Sequence, residues 1–275
     1  MEIGIFSRTF ETRDLSETCR DMKAAGIRHT QFNLSNAGLP TLPEQYHDED
    51  IERILKITKE YGIIMDALSG TFNMIDPDEE ARIRGCRQFY LQCEIASALN
   101  IPVVSLCSGS KSRESKWKWH DDNASQGAWD DLMRSTEAIL PAAEKYHITL
   151  GVETEASNII NTPEMARKYL DTAGSSQIKI IMDGANLFLP DRLPHMHEVL
   201  DQAFRLLGKD IVIAHAKDFS CDGKKISFVA AGKGQLDYPY YIRLLKNAGY
   251  DGPLVMHGLS ADEVPESAEY LRKLV

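Results

Sequence analysis

The chain has 275 residues, 43% of them hydrophobic, and a formal net charge of −10. That length suits one α/β barrel of about 250 residues better than two ordinary domains, and no apolar run approaches the roughly 18 residues of a membrane span. The acidic balance argues against a polynucleotide binder, which needs a basic stripe for phosphate contacts; phosphorylated small molecules need only a few local cations and stay admissible.

Strand-like and helix-like runs alternate from end to end. Residues 3–5 read as a strand, and the helix over 15–25 has Asp14 as N-cap and Gly26 as its stop. The second unit pairs a strand at 27–32 with a helix at 50–61 closed by Gly62. The third pairs 63–68 with the long helical stretch 78–99, and the fourth pairs 103–107 with 129–146. The fifth strand ends at Glu153 and precedes a helix over 163–171, where Thr162-Pro163 supplies a cap with proline at the first helical position. The sixth ends at Asp183 before a helix at 196–207, the seventh near His215 before 240–248, and the eighth at His257 before 265–274. Eight strand–helix units with right-handed crossovers close into a single (β/α)₈ barrel covering residues 1–275.

Four of those strands end in residues that bind metals: Thr149-Leu-Gly-Val-Glu153, Lys179-Ile-Ile-Met-Asp183, Ile211-Val-Ile-Ala-His215 and Leu254-Val-Met-His257. Side chains alternate between barrel interior and helix layer. The four therefore point inward with Gly151, Ile181, Ile213 and Val255, while Leu150, Val152, Ile180, Met182, Val212, Leu254 and Met256 face the helices. Carboxylate and imidazole donors gathered at the carboxyl ends of parallel strands predict one divalent ion, Mn²⁺ or Mg²⁺, with Co²⁺ and Zn²⁺ also suited to the set. Such an ion holds adjacent oxygens of a polyol, polarises a carbonyl and stabilises an enediolate, with a nearby carboxylate as base.

These motifs resemble the xylose-isomerase-like TIM barrels of the sugar phosphate isomerase/epimerase kind. The matching residues are Gly151-Val-Glu153, Ile181-Met-Asp183-Gly-Ala-Asn186, His215-Ala-Lys-Asp218, Ala231-Gly-Lys-Gly234 with Asp237-Tyr238, and Pro253-Leu-Val-Met-His257-Gly258. Ser69-Gly-Thr-Phe-Asn73 with Asp76-Pro77, and Trp119-His120 with Asn123, extend the resemblance over nearly the whole chain. It implies Glu153, Asp183 and His215 as metal ligands. The epimerases of this kind place a second glutamate on the last strand, where this chain has His257, a ligand or an acid/base. They often place a histidine three residues after the aspartate, where this chain has Asn186, which can still hydrogen-bond a hydroxyl.

The resulting expectation is a metal-dependent isomerase or epimerase acting on a sugar, keto-sugar or sugar phosphate. Glu153, His257 and Lys217 carry the catalysis, and His120, Asn186 and Lys233 bind substrate. Lys217 and the 231–234 loop lie after strand seven, where barrels often hold phosphate, although no full phosphate fingerprint is present. The alternative is a dehydratase of the inosose or dehydroshikimate type, since one retained glutamate favours one-base elimination or 1,2-isomerisation. An apurinic-site endonuclease of the same barrel needs more histidines and a basic groove, and a non-enzymatic sugar binder does not need the ligand quartet. His195-Met-His197, near a helix start, and Glu44 with His47, in the second loop, are weaker candidates, as is Glu155, two residues beyond Glu153.

Five scattered cysteines (Cys19, Cys86, Cys93, Cys107, Cys221) form no C-x-x-C pair, and the opening residues carry no basic n-region. Both point to reduced thiols in a cytoplasmic protein. The expected partners are a small carbohydrate, no nucleic acid and no membrane, with a homo-oligomer admissible.

Overall fold

In a computed structural model describing residues 1–275, eight parallel strands close into a barrel. The chain order is β1 (Ile3–Phe6), α1 (Leu15–Ala24), β2 (His29–Phe32), α2 (Asp48–Tyr61), β3 (Ile64–Ser69), α3 (Glu79–Ala98), β4 (Val103–Leu106), α4 (Gln126–Tyr146), β5 (Thr149–Glu153), α5 (Pro163–Ala173), β6 (Ile178–Asp183), α6 (Met196–Leu207) and β7 (Ile211–Ala216). A two-stranded antiparallel sheet follows, β8 (Asp218–Cys221) with β9 (Ile226–Val229). Then come α7 (Tyr238–Asn247), β10 (Leu254–Met256) and α8 (Val264–Arg272). Around the barrel the order is β1, β10, β7, β6, β5, β4, β3, β2, so β10 closes the ring against β1.

Alternation along the strands sorts their side chains as expected. Ala67, Val103, Ile181, Ile213 and Val255 form a small apolar cluster inside the barrel. The opposite strand faces, including Leu150, Val152, Ile180, Met182, Leu254 and Met256, join the main core under the helices. Val212 departs from the expected outward set. The β6–β7 register steps from Ile180↔Ile211 to Ile181↔Ile213, and Val212 packs against the interior cluster. A bulge places one extra residue on β7 and turns the expected parity at that point.

Helix termini follow the local chemistry. Asp14 and Asp78 cap α1 and α3 by accepting from two backbone N–H groups each, and Thr162 caps α5 with Pro163 in its first turn. Several helices, α2, α4, α7 and α8, start earlier than the apolar pattern implied. α4 begins at Gln126 because the Ser125 hydroxyl accepts from Ala128 N, and α7 begins at Tyr238 because the Asp237 carboxylate accepts from Tyr240 N. All five cysteines are unpaired, and no helix is long and apolar enough to cross a membrane.

Candidate metal centre

Asp183 ends β6 with no solvent exposure, and its two oxygens are treated differently. Oδ1 accepts from Ala185 N at 2.9 Å and from Asn186 N at 3.3 Å, which locks the carboxylate to the turn that follows. Oδ2 points to the barrel axis without a hydrogen-bond partner, 3.2 Å from Lys217 Nζ. Burial raises the cost of its charge, but Lys217 and the two histidines outweigh that and hold the carboxyl well below its usual range.

His215, on the neighbouring strand, uses both ring nitrogens. Nε2 lies 2.9 Å from Gln31 Oε1, and Nδ1 lies 3.2 Å from Glu153 Oε1 and 3.7 Å from Asp183 Oδ2. A carboxamide oxygen can only accept, so Nε2 carries the proton and donates it to Gln31. In the neutral ring the Nδ1 lone pair then faces two carboxylates, an arrangement that needs a proton or a metal ion between them. Burial alone would lower the imidazole pKa, yet Glu153 and Asp183 raise it to about 9.

His257 follows β10, its ring between Phe6 and His215 with centroids 5.2 and 5.0 Å away. Its Nδ1 is buried without a hydrogen-bond partner. Burial and the positive charge of His215 and Lys217 push its pKa well below the ordinary imidazole value. It is thus a neutral ring with a donor atom free. One donor atom from each of Asp183, His215 and His257 falls within 4.8 Å of the other two; Glu153, expected as a fourth ligand, lies outside that group, with its Oε1 3.2 Å from His215 Nδ1.

That donor set fits a divalent ion. Buried polar atoms without a hydrogen-bond partner are uncommon, and two of the four in this chain, Asp183 Oδ2 and His257 Nδ1, belong to this cluster. Bonds of about 2.0–2.2 Å put tetrahedral ligand atoms roughly 3.3–3.6 Å apart, inside the 4.8 Å that bounds these three. Carboxylate oxygen with imidazole nitrogen suits Mg²⁺, Mn²⁺, Co²⁺ or Zn²⁺, and no thiolate adjoins them.

Around the cluster the chain is braced by residues the sequence reading placed elsewhere. Asn186, expected on the substrate, donates from Nδ2 to Glu153 Oε1 at 2.8 Å and accepts from Lys217 Nζ at 2.6 Å. Its carboxamide is consumed in holding those two side chains apart, and it does not line the cavity above. Lys217 is 4% exposed, with its ammonium 4.0 Å from the Phe228 ring on β9. Its neighbour Asp218 is no ion-pair partner. That carboxylate accepts from the backbone N–H of Phe219, Gly232, Gly234 and Leu236, tying down the loop before α7. Gly234 is required there, because a Cβ would lie 2.2 Å from Phe219 O and 2.3 Å from Asp218 Oδ1.

A cavity of about 570 Å³ opens over the cluster, and Glu153, Glu155, Lys217 and His257 all line it. The hydrogen bonds to Glu153 fall on Oε1. Glu155 has a raised pKa, first from burial and then from Glu153 and Asp183, partly offset by Lys217. His120 and Lys233 lie outside the cavity. His120 is exposed and accepts from Asp122 N, and Lys233 pairs with Glu266. His195 pairs with Glu198 and His197 with Asp237, away from the cluster. Gln31 was absent from the sequence-derived candidates; a polar residue at the carboxyl end of β2 was the available signal.

Residues 19–274 match the sequence model of the xylose isomerase-like TIM barrel family. No curated protein matches the chain in sequence. Among solved structures, the apo form of the 3-keto-D-glucoside 4-epimerase YcjR from E. coli superposes with a TM-score of 0.77 at 18% identity, covering 99% of both chains. A zinc-bound IolI protein gives 0.73 at 19% identity, covering 99% of this chain and 96% of its own. A xylose isomerase-like TIM-barrel protein from Mycobacterium smegmatis in complex with magnesium gives 0.72 at 17% identity, covering 94% and 87%.

Proposed function

The chain belongs to the xylose isomerase-like TIM barrel family, and from that membership we propose that it is a divalent-metal-dependent isomerase or epimerase of a sugar, keto-sugar or sugar phosphate. The observation that carries this reading is the pair of buried donor atoms without partners, Asp183 Oδ2 and His257 Nδ1, converging with His215 Nδ1 under an open cavity. Asp183, His215 and His257 would hold the ion, with Glu153 beside them. A bound divalent ion supplies charge for a carbonyl oxygen and its neighbouring hydroxyl, which makes the adjacent C–H more acidic. The YcjR epimerase and the zinc- and magnesium-bound relatives support the sugar and metal parts of this reading by analogy of fold.

Glu153 takes the proton from that carbon. Its Oε1 is fixed by Asn186, which leaves the rest of the carboxylate to face the cavity. Lys217, held by Asn186 and Asp183, presents a fixed positive charge to the oxygen on which negative charge develops. Phe6 and the Phe228 ring give the cavity apolar walls that keep water from the carbanion. Gln31 fixes the His215 tautomer so that Nδ1 faces the acids.

A dehydratase on the same centre is the second reading. It is favoured by His257, which puts an imidazole three strands round the barrel from Glu153 instead of a second carboxylate. Incubation of the metal-loaded protein with a panel of ketoses and their phosphates in D₂O, followed by NMR, tests both. Deuterium at one carbon with mass otherwise conserved supports isomerisation or epimerisation, and loss of a water supports dehydration. No exchange with any member, in a protein that holds its metal, refutes the proposal.

A further inference from the structure

Barrels often hold an anion with the loops after the seventh and eighth strands, and in this chain the glycine-rich loop before α7 is already engaged. The amides of Gly232 and Gly234 are already taken by Asp218, and Lys233 turns outward to Glu266. Two cations stand instead on the opposite half of the cavity rim, Arg8 after β1 and Lys116 after β4.

Neither forms an ion pair with a carboxylate, and Arg8 is exposed at the rim. Lys116 is partly buried, and its Nζ donates only to Thr71, at 2.6 Å to the carbonyl and 3.4 Å to the hydroxyl. The loop that carries it is rigid by construction. Asn158 donates to Lys116 O at 2.8 Å while its Oδ1 accepts from Gly109 N. Burial lowers the Lys116 pKa, the Cys107 thiol opposes that shift and Arg8 adds to it; Lys116 and Arg8 line the same cavity. A partly buried ammonium whose only acceptors are neutral gains from an anion that reaches it.

We propose that the substrate carries an anionic group, a carboxylate or a phosphate, which seats between Lys116 and Arg8 while its reacting carbons lie over Glu153 and His257. This assignment rests on the carbohydrate reading above and narrows it to acidic sugars or sugar phosphates. Lys116 and Arg8 select the substrate, whereas the chemistry stays on the other half of the rim.

The test is calorimetric titration at low ionic strength with two matched pairs, D-fructose against D-fructose 6-phosphate and D-glucose against D-glucuronate. Metal-loaded and metal-stripped protein are compared. The charged member of at least one pair binds more tightly, on the order of ten- to a hundredfold, in both forms, and the pair that shows the preference identifies phosphate or carboxylate. Lys116→Met removes the preference and leaves neutral sugars unaffected, while Lys116→Arg retains it. Thermal melting confirms that both variants fold. Equal binding within both pairs, a preference that survives Lys116→Met, or one that exists only with metal present, overturns the anion assignment and leaves the carbohydrate reading standing. Failure of all four sugars to bind overturns both.

Discussion

The two halves of the barrel mouth face opposite electrostatic problems. On β5, β6, β7 and β10, acids and imidazoles crowd together on the ends of adjacent strands, with a buried lysine ammonium to balance them. On β1 to β4, the cavity wall presents Arg8 and Lys116 with no negative partner. The first half is cross-braced through Asn186 and Asp218, and Gln31 on β2 holds His215 from across the barrel. The second is braced through its backbone, by Asn158, and leaves its charges free. Under the proposed function, chemistry and recognition are separated across one cavity.

Four perturbations probe that separation: Glu153 and His215 on the acidic half, Gln31 across the barrel from them, and Gly234 in the loop before α7. Glu153→Gln removes the base while keeping size and the Asn186 contact. Turnover in a deuterium-exchange assay is expected to fall by about 10²–10⁴-fold with circular dichroism showing the fold retained; near-normal turnover would remove Glu153 from the chemistry. Gln31→Leu frees the Nε2 proton of His215, and metal affinity measured by competition with a fluorescent chelator should drop by about 10–100-fold. The same change should not alter any preference for anionic sugars, since Gln31 does not touch Lys116.

The third perturbation is pH. His215 has a pKa raised to about 9 in the metal-free chain, above its unfolded value near 6.5. Its charge therefore contributes stability that is complete below about pH 6.5 and is lost as pH rises through about 9. Metal must displace that proton, so affinity should climb across the same window. Scanning calorimetry of metal-free and metal-loaded protein from pH 6.5 to 9 should show the metal-induced rise in Tm growing with pH, and a rise independent of pH would contradict the assigned ligand. The smallest effect is expected from Gly234→Ala. Its Cβ meets Phe219 O and Asp218 Oδ1, and chemical denaturation should report a loss of about 1–3 kcal/mol.

Which parts were legible in the sequence follows the same division. Strand periodicity and the β/α alternation placed Glu153, Asp183, His215 and His257 at corresponding strand ends, because a parallel barrel fixes where each strand's last inward residue goes. The bulge at Val212 escaped, since nothing in Ile211-Val-Ile marks an extra residue. Asn186 read as a substrate contact because its neighbours Glu153 and Lys217 come from strands distant in sequence. The β8–β9 pair was read as loop, although Asp222-Gly223 between Phe219-Ser-Cys221 and Ile226-Ser-Phe228 is a strong hairpin signal. Lys116 was hidden in a basic stretch, 111–118, whose other lysines pair with Asp131 and Glu114. Only contacts between loops distinguish the lysine left free.

The central claim is that Asp183, His215 and His257 share one divalent ion. Metal content by inductively coupled plasma mass spectrometry, on protein purified without chelator and dialysed against Mn²⁺, tests it most directly. About one ion per chain is expected for the native sequence, with near-complete loss in both Asp183→Asn and His257→Phe, the latter a ring-preserving change that keeps the stack on Phe6. An unchanged metal content in the two variants, with both folded, would contradict the account.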